Sequence, residues 1–248
     1  MDNLGAILGP LLGIALVAAA GVRGAILLSI IPGLLAVHAI RAAKLPKVGE
    51  RQPIRIQFRP VIKGRLGRLL VAVSAFELGN IAATLLILRA TELLTPGHGQ
   101  DSAAQLALAL YTAYNIAATA VSIPAGHHGD RRSPVYVLVG GTAAFATAYL
   151  ALTGASLPIL AIGFVLAGIG IGCIETAEHA AVAHLAPEGL PGSAFGLRAT
   201  VQSLGNFAAS AIAGLLWTVV SPTAAFIYAG AWMLIALIAF TATRATHT

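Results

Sequence analysis

The fold class is decided by residues 157–185, LPILAIGFVLAGIGIGCIETAEHAAVAHL, whose first part, up to Ile174, carries no Asp, Glu, Lys or Arg. A helix that crosses a membrane needs about 20 mainly apolar residues, and this segment is long enough. Around it, the chain of 248 residues is 58% hydrophobic and only 10% charged, against roughly 25% charged in soluble domains. The sequence therefore predicts an all-α, polytopic membrane protein and excludes a soluble fold.

With seven further segments of similar length and composition, the sequence has about eight predicted transmembrane helices. They are 4–20, 24–43, 68–93, 103–126, 134–153, 157–185, 191–219 and 223–243. Most separators are short, so neighbouring helices are expected to form antiparallel hairpins. The exception is the polar stretch 44–67, which reads as a cytoplasmic linker between two helices (1–43) and a six-helix block (68–248).

Lys and Arg are distributed unevenly over the two sides of this arrangement. One side has Arg23 alone, and the other has Arg41, Lys44, Lys47, Arg51, Arg55, Arg59, Lys63, Arg65, Arg68, Arg131, Arg132 and Arg244. Because short basic loops stay in the cytoplasm, we expect both termini to be cytoplasmic in the cell membrane. The net charge of +6 is then explained by topology and by anionic lipid of the bilayer, and we expect no nucleic-acid partner.

The polar residues do not form the patterns of an enzyme. We find no nucleophile–base pair, no nucleotide-binding loop and no set of metal ligands, and Cys173 is the single cysteine. We therefore expect no catalytic residues, no cofactor and no metal.

Three motifs carry a family resemblance. They are GAILGPLLG at 5–13, PAGHHGDRR at 124–132 and GSAFGLRATVQSLGNFAASAIAGLLW at 192–217. Together they resemble the major facilitator superfamily, whose members have two six-helix bundles joined by a long cytoplasmic loop. On that pattern the first two spans are similar to helices five and six, and the block 68–248 is similar to the second bundle. The resemblance implies a transporter whose first four helices lie in a missing N-terminal part.

Two of the motifs suggest roles for particular residues. In 124–132, Gly126, Asp130 and Arg131 match the family's cytoplasmic G-x-x-x-D-R signature, which implies a gate latch between helices. The alternative is that these basic residues only obey the positive-inside rule. The Gly-Pro motif of 5–13, with Gly9, Pro10 and Gly13 matching, is similar to the helix-packing motif in the fifth helix of the family's antiporters.

Ionisable residues inside a span are functional candidates because a charge in the bilayer costs several kcal/mol unless it is paired, hydrated or neutralised. In the third span, Glu77 and Asn80 lie three residues apart on one face and predict a polar cluster lining a cavity. An interfacial, snorkelling Glu77 is the alternative. Further along that span, an interfacial Arg89–Glu92 pair is the simpler interpretation.

The densest cluster is GCIETAEHAAVAH, residues 172–184. Glu175, Glu178 and His179 are spaced three and four residues apart and share a helix face, so two carboxylates and an imidazole would titrate as a coupled group. That is the chemistry a proton-coupled carrier needs, with Glu175 as the principal proton-binding carboxylate. The alternative is that the helix end is simply solvated.

In the seventh span, Arg198, Gln202 and Asn206 recur every four residues and draw a polar stripe along one face. Arg198 is expected either to face the glutamates of the preceding helix or an anionic substrate, or to snorkel to the cytoplasmic surface. For function we predict secondary active transport of a small molecule, coupled to protons, with efflux favoured over uptake. A proton-coupled uptake symporter remains open, as does a non-transporting fragment or assembly partner that needs a complementary N-terminal part.

Overall fold

The computed structural model describes residues 2–42, 62, 64–154 and 156–245, which form nine helices and no strand. The predicted linker 44–67 lies mostly outside these residues. The helices are α1 (Asp2–Leu28), α2 (Ile30–Ala42), α3 (Gly64–Gly79), α4 (Ala83–His98), α5 (Gln100–Arg131), α6 (Pro134–Ala151), α7 (Leu157–Leu185), α8 (Pro191–Val219) and α9 (Pro222–Ala245).

The chain divides into two compact units, residues 1–55 and residues 56–248. The first unit contains α1 and α2. Gly21 interrupts the long helix α1 with φ 68° and ψ 172°, a backbone conformation that glycine adopts without steric cost. This interruption falls on the predicted separator at 21–23.

The second unit contains six segments that are long and apolar enough to cross a membrane, with α3 and α4 together forming the first. The remaining five are α5 to α9, and the all-α membrane fold is confirmed, while the predicted division into 1–43, 44–67 and 68–248 stays a prediction. Successive spans run in opposite directions. We name the two ends of this unit after residues in their turns. The Gly99 end contains the turns at Gly99, Gly154 and Ser221, and the Arg131 end contains the turns at Arg131 and Gly189.

The first span of the second unit is not continuous, in contrast to the single helix predicted over 68–93. Residues 80–82, the α3–α4 break, are not helical, and the helix resumes at Ala83. The break follows Gly79-Asn80, a dipeptide typical of turns. A second difference is the turn at Gly99 (φ 76°), which directly joins α4 to α5 where a longer loop, 95–102, was expected.

Helix α7 lies in the middle of the second unit, against α5 on one side and α6 on the other. Glycines allow this close approach. A Cβ atom at Gly168 would overlap the carbonyl oxygen of Tyr114 in α5, and one at Gly170 would lie 2.5 Å from the ring of Phe145 in α6. Because the contacted atoms at α5 are backbone, α7 has little freedom to shift.

Aromatic rings connect the other helices. The ring of Phe76 in α3 meets Phe145 of α6 edge to face, with centroids 5.4 Å apart. Tyr149 and Phe226 continue the series into α9, and Trp217 of α8 lies 6.0 Å from Phe226. Such pairs add to the burial of large apolar side chains and hold α3, α6 and α9 together.

Candidate functional site

The second unit buries several polar side chains among its apolar helices. Those that are less than one-tenth exposed are Glu77, Arg89, Asn115, Thr142, Glu178 and Arg198. Asn115 and Thr142 are bonded within their own helices, to carbonyls four residues earlier. The four charged residues lie on four different helices.

Glu178 of α7 and Arg198 of α8 form a buried ion pair. The Nε and Nη2 atoms of Arg198 each lie 2.9 Å from Oε2 of Glu178, so one carboxylate oxygen receives both bonds. Glu178 is fully buried, and its second oxygen, Oε1, has no hydrogen-bond partner among the described residues. Arg198 therefore faces a glutamate of the preceding helix, one of the two arrangements expected from the sequence, and does not snorkel to the surface.

His179 is the third member of this site and its bonding defines its protonation. Its Nδ1 atom lies 2.7 Å from the carbonyl oxygen of Glu175, which can only accept, so Nδ1 carries the hydrogen. Its Nε2 atom lies 3.3 Å from Nη1 of Arg198, which can only donate, so Nε2 accepts. The contacts fit the neutral imidazole, and a proton on Nε2 would remove the bond to Arg198.

The two glutamates of α7 occupy different environments. Glu178 is buried against Arg198, whereas the side chain of Glu175, one turn earlier, is exposed on the surface of the second unit. His179 is also exposed, and its ring lies 6.1 Å from that of Phe195 at the start of α8. The buried carboxylate in this cluster is therefore Glu178, and the role of Glu175 as the principal proton-binding carboxylate stays a prediction.

A second polar cluster surrounds the α3–α4 break. Asn80 Nδ2 donates to Oε2 of Glu77 at 3.0 Å, which joins the two residues that the sequence had grouped. From α8, Asn206 Nδ2 donates to the carbonyl oxygen of Asn80 at 2.8 Å, and the hydroxyl of Ser210 accepts from the amide of Ala82 at 3.0 Å. Glu77 is 1% exposed, so it belongs to the interior of the unit and not to its surface.

The polar stripe of α8 thus serves both clusters. Arg198 reaches the ion pair, and Asn206 reaches the break, while Gln202 lies half-buried between them. Ser210 was missed by sequence reasoning, although it extends the same four-residue spacing by one step. This spacing was visible in the sequence, but a serine in an apolar helix usually bonds to its own backbone, so Ser210 was not predicted as a site residue.

At the Gly99 end, two side chains of α4 contact other helices. Arg89 Nε donates at 3.3 Å to the carbonyl oxygen of Leu152, which caps the C-terminus of α6. Glu92 Oε1 accepts at 3.3 Å from the indole of Trp217 in α8. These contacts replace the Arg89–Glu92 pair expected from the sequence.

The proposed gate motif lies at the Arg131 end. Gly126 lies where α5 faces α7, and an added Cβ would make an ordinary contact of 3.4 Å with the side chain of Thr176. Asp130 and Arg131 are exposed and make no hydrogen bond or ion pair to the described residues. The N-terminus of α6 is capped instead by Ser133, whose hydroxyl accepts from the amide of Val135. The latch role of Asp130 and Arg131 stays a prediction.

The Gly-Pro motif lies in α1, in the first unit. Gly9 and Gly13 have open space where a Cβ would stand, so neither is in close contact with another described residue. Pro10 falls within the helix, but its side chain is outside the described atoms. The packing role of this motif also stays a prediction.

Comparison with known proteins agrees with the helices and the motifs. The family model of the Major Facilitator Superfamily matches residues 69–247. An uncharacterized MFS-type transporter of Methanocaldococcus jannaschii is 35% identical over 182 residues, which cover 70% of this chain and 44% of that protein. The chain thus spans less than half the length of this relative. These matches point to a transporter rather than an enzyme, and they confirm the resemblance: the chain belongs to the major facilitator superfamily and is a multi-pass membrane protein.

Proposed function

We propose that the protein takes part in proton-coupled secondary transport of a small molecule across the cytoplasmic membrane, with both termini in the cytoplasm and efflux favoured over uptake. The observation that carries the coupling is the buried Glu178–Arg198 pair, with the imidazole of His179 in contact with Arg198. Arginine stays charged at any physiological pH, whereas carboxylate and imidazole exchange protons. The site therefore contains one fixed charge, Arg198, and two groups that can exchange protons, Glu178 and His179.

Proton binding at this site has a mechanical consequence. A proton on Glu178 cancels the negative charge that compensates Arg198, and a proton on His179 Nε2 removes the bond that this atom accepts. The first event leaves a buried guanidinium with no compensating charge, which is strongly destabilising, and the second removes one of its hydrogen-bond partners. The helices must then rearrange or supply another anion, and this requirement is the basis for coupling protons to movement or to substrate.

Glu175 and the gate motif complete the proposal. Exposed on the same helix one turn away, Glu175 is placed to exchange protons with water in the transport pathway and to pass them to the buried members. We propose Glu77 and Asn80, with Gln202 and Asn206, as the polar lining deeper in the unit, and Gly126, Asp130 and Arg131 as a latch for the cytoplasmic gate.

The test begins by finding a substrate. Cells that express the chain are screened for increased tolerance to a panel of toxic compounds, and a compound that scores is then followed in inverted membrane vesicles under an imposed pH gradient. We expect gradient-driven accumulation in the vesicles that is abolished by a protonophore and by Glu178→Gln. Accumulation that survives the protonophore would refute proton coupling, and net movement in the opposite direction would favour the uptake symporter.

Two observations favour a second candidate function, in which the chain is an assembly partner that does not transport by itself. The chain spans 44% of its relative, and the second unit leaves large apolar side chains exposed on α8, including Leu204 and Phe207. Reconstituting the chain alone and together with a separate polypeptide that supplies the relative's first half tests this. Transport that requires both polypeptides would support the assembly partner, and transport by the chain alone would exclude it.

A further inference from the structure

We propose that Asn206 and Ser210 are positioning residues that tie α8 to the α3–α4 break, so that a change at the Arg198–Glu178 pair is passed to α4. This role rests on the proposed function, because it takes the ion pair to open during transport. It adds to that function a path through the second unit, from the Arg131 end to the Gly99 end.

The break requires these two side chains because an interrupted helix has unpaired backbone groups. In an uninterrupted helix the carbonyl of Asn80 and the amide of Ala82 would bond four residues away along the chain. Here the carbonyl of Asn80 accepts from Asn206, and the amide of Ala82 donates to Ser210. In the hydrocarbon region of a membrane, away from water, an unpaired backbone group costs several kcal/mol. The break is therefore completed partly by its own span, where the amides of Asn80 and Ile81 donate to the carbonyls of Glu77 and Gly79, and partly by α8.

Close packing makes this connection tight. A Cβ at Gly205 of α8 would lie 2.5 Å from the Cβ of Glu77, so the backbones of α8 and α3 are in direct contact just before the break. On the other side, a Cβ at Gly79 would lie 2.8 Å from the carbonyl oxygen of Ala229 in α9. With α8 and α9 both against it, the break has no space in which to absorb a shift of α8.

Helix α8 contacts the first span at one further level. Eight residues, a rise of about 12 Å, separate Arg198 from Asn206 on the same helix. Beyond the break, Trp217 of α8 donates to Glu92 of α4. Helix α8 is thus bonded to the backbone just before α4 at the break, and to α4 itself at the Gly99 end. Helix α4 is in turn bonded to α6 through Arg89 and the carbonyl of Leu152. Movement of α8 is expected to carry α4 with it and to strain the bond to α6.

The experiment measures α4 against α7 while the ion pair is opened by mutation. In a Cys173→Ala background, spin labels are attached to Leu88→Cys on α4 and Ile159→Cys on α7, two exposed positions at the Gly99 end. The distance between the labels is recorded by pulsed electron paramagnetic resonance in lipid nanodiscs. We expect Glu178→Gln to shift the distance distribution. Arg198→Gln is the second trigger, in case the first variant does not fold.

The positioning role is read from a combination of variants. With Ser210→Val and Asn206→Leu, which remove both bonds, we expect the shift caused by the trigger to be lost. Ser210→Thr keeps a hydroxyl in nearly the same volume as Ser210→Val, so it should retain the shift when Asn206 is intact. Ser203→Ala, on the exposed side of α8, is the matched control and should leave the shift unchanged.

The outcomes separate this role from the proposed function. A shift of equal size with and without the two capping side chains would overturn the positioning role. No shift from either trigger, in variants that circular dichroism shows to be folded, would overturn it as well, because the ion pair would then not be connected to α4. The response of the wild-type distance to pH tests proton coupling separately: if it is absent while the mutational triggers work, the proposed proton coupling fails and the positioning role stands.

Discussion

Helices α7 and α8 each contain 29 residues and each supplies one side of the buried ion pair, yet they are held in the second unit by different means. Among the 18 most apolar consecutive residues of α7, 44% are buried, against 17% of the corresponding residues of α8. Glycines press α7 against the backbone of α5, whereas Gly196 and Gly214 of α8 face open space. The ion pair therefore joins a helix packed against its neighbours along its length to a helix that packs closely at Gly205 and is otherwise more exposed, and we expect the second to respond more readily.

The largest expected effect comes from removing one side of the ion pair. Glu178→Gln leaves a buried guanidinium that cannot lose its charge, and breaking such a pair costs about 3–5 kcal/mol of unfolding free energy. Arg198→Gln should cost less, because Glu178 can take up a proton, and its cost should grow as the pH rises and the carboxyl ionises. Unfolding by sodium dodecyl sulfate in mixed micelles, followed by circular dichroism, measures both variants. Equal costs at all pH values would contradict the assignment of Arg198 as the fixed charge.

The next effect tests the packing half of the comparison. Gly168→Ala places a methyl group against the backbone of Tyr114, and overpacking of this kind costs about 1–3 kcal/mol. Gly214→Ala is the matched change on α8; with open space at that position, it should be neutral or stabilise the helix by up to about 1 kcal/mol. The same unfolding assay compares them. If Gly214→Ala is as harmful as Gly168→Ala, α8 is packed as firmly as α7.

The smallest effect on stability is expected at Glu175. Since its side chain is exposed, Glu175→Gln should change the unfolding free energy by less than about 0.5 kcal/mol. Its effect on transport should be large, because gradient-driven transport and its pH dependence would lose a proton-exchanging group while substrate exchange continues. Transport assays in vesicles against an imposed pH gradient check this. Normal pH dependence in Glu175→Gln would assign the coupling to Glu178 and His179 alone.

Sequence patterns predicted the helices well where the chain itself marks their ends. The turns at Gly154, at 187–190 and at Ser221 agree with the structure, since Gly, Ser and Pro interrupt apolar runs there for local reasons. The α3–α4 break was missed, although Gly79-Asn80 stood in the sequence. A turn dipeptide inside an apolar run is usually accommodated in a helix, and here bonds from α8, a distant segment, complete the interruption.

The candidate site was predicted in its members and only partly in its partners: a glutamate of α7 was one expected partner of Arg198, but the sequence did not say which glutamate. The four-residue spacing of α8 and the cluster of α7 identified Glu178, His179 and Arg198 as candidates. Periodicity places residues on a face, but which carboxylate is buried depends on how α7 is rotated between α5 and α6. That rotation is set by the contacts of Gly168 and Gly170 with other helices, which no local pattern contains.

The hydrogen bonds of His179 have a chemical consequence. Acylating reagents such as diethyl pyrocarbonate attack the unprotonated nitrogen of imidazole, and in this protein that nitrogen, Nε2, accepts from Arg198. An imidazole that is exposed to the reagent should therefore react slowly while the ion pair is closed and faster once Arg198 has moved away. The rate of modification of His179 would then report whether the ion pair is closed or open. Mass spectrometry can measure this rate on unlabelled protein without knowledge of the substrate.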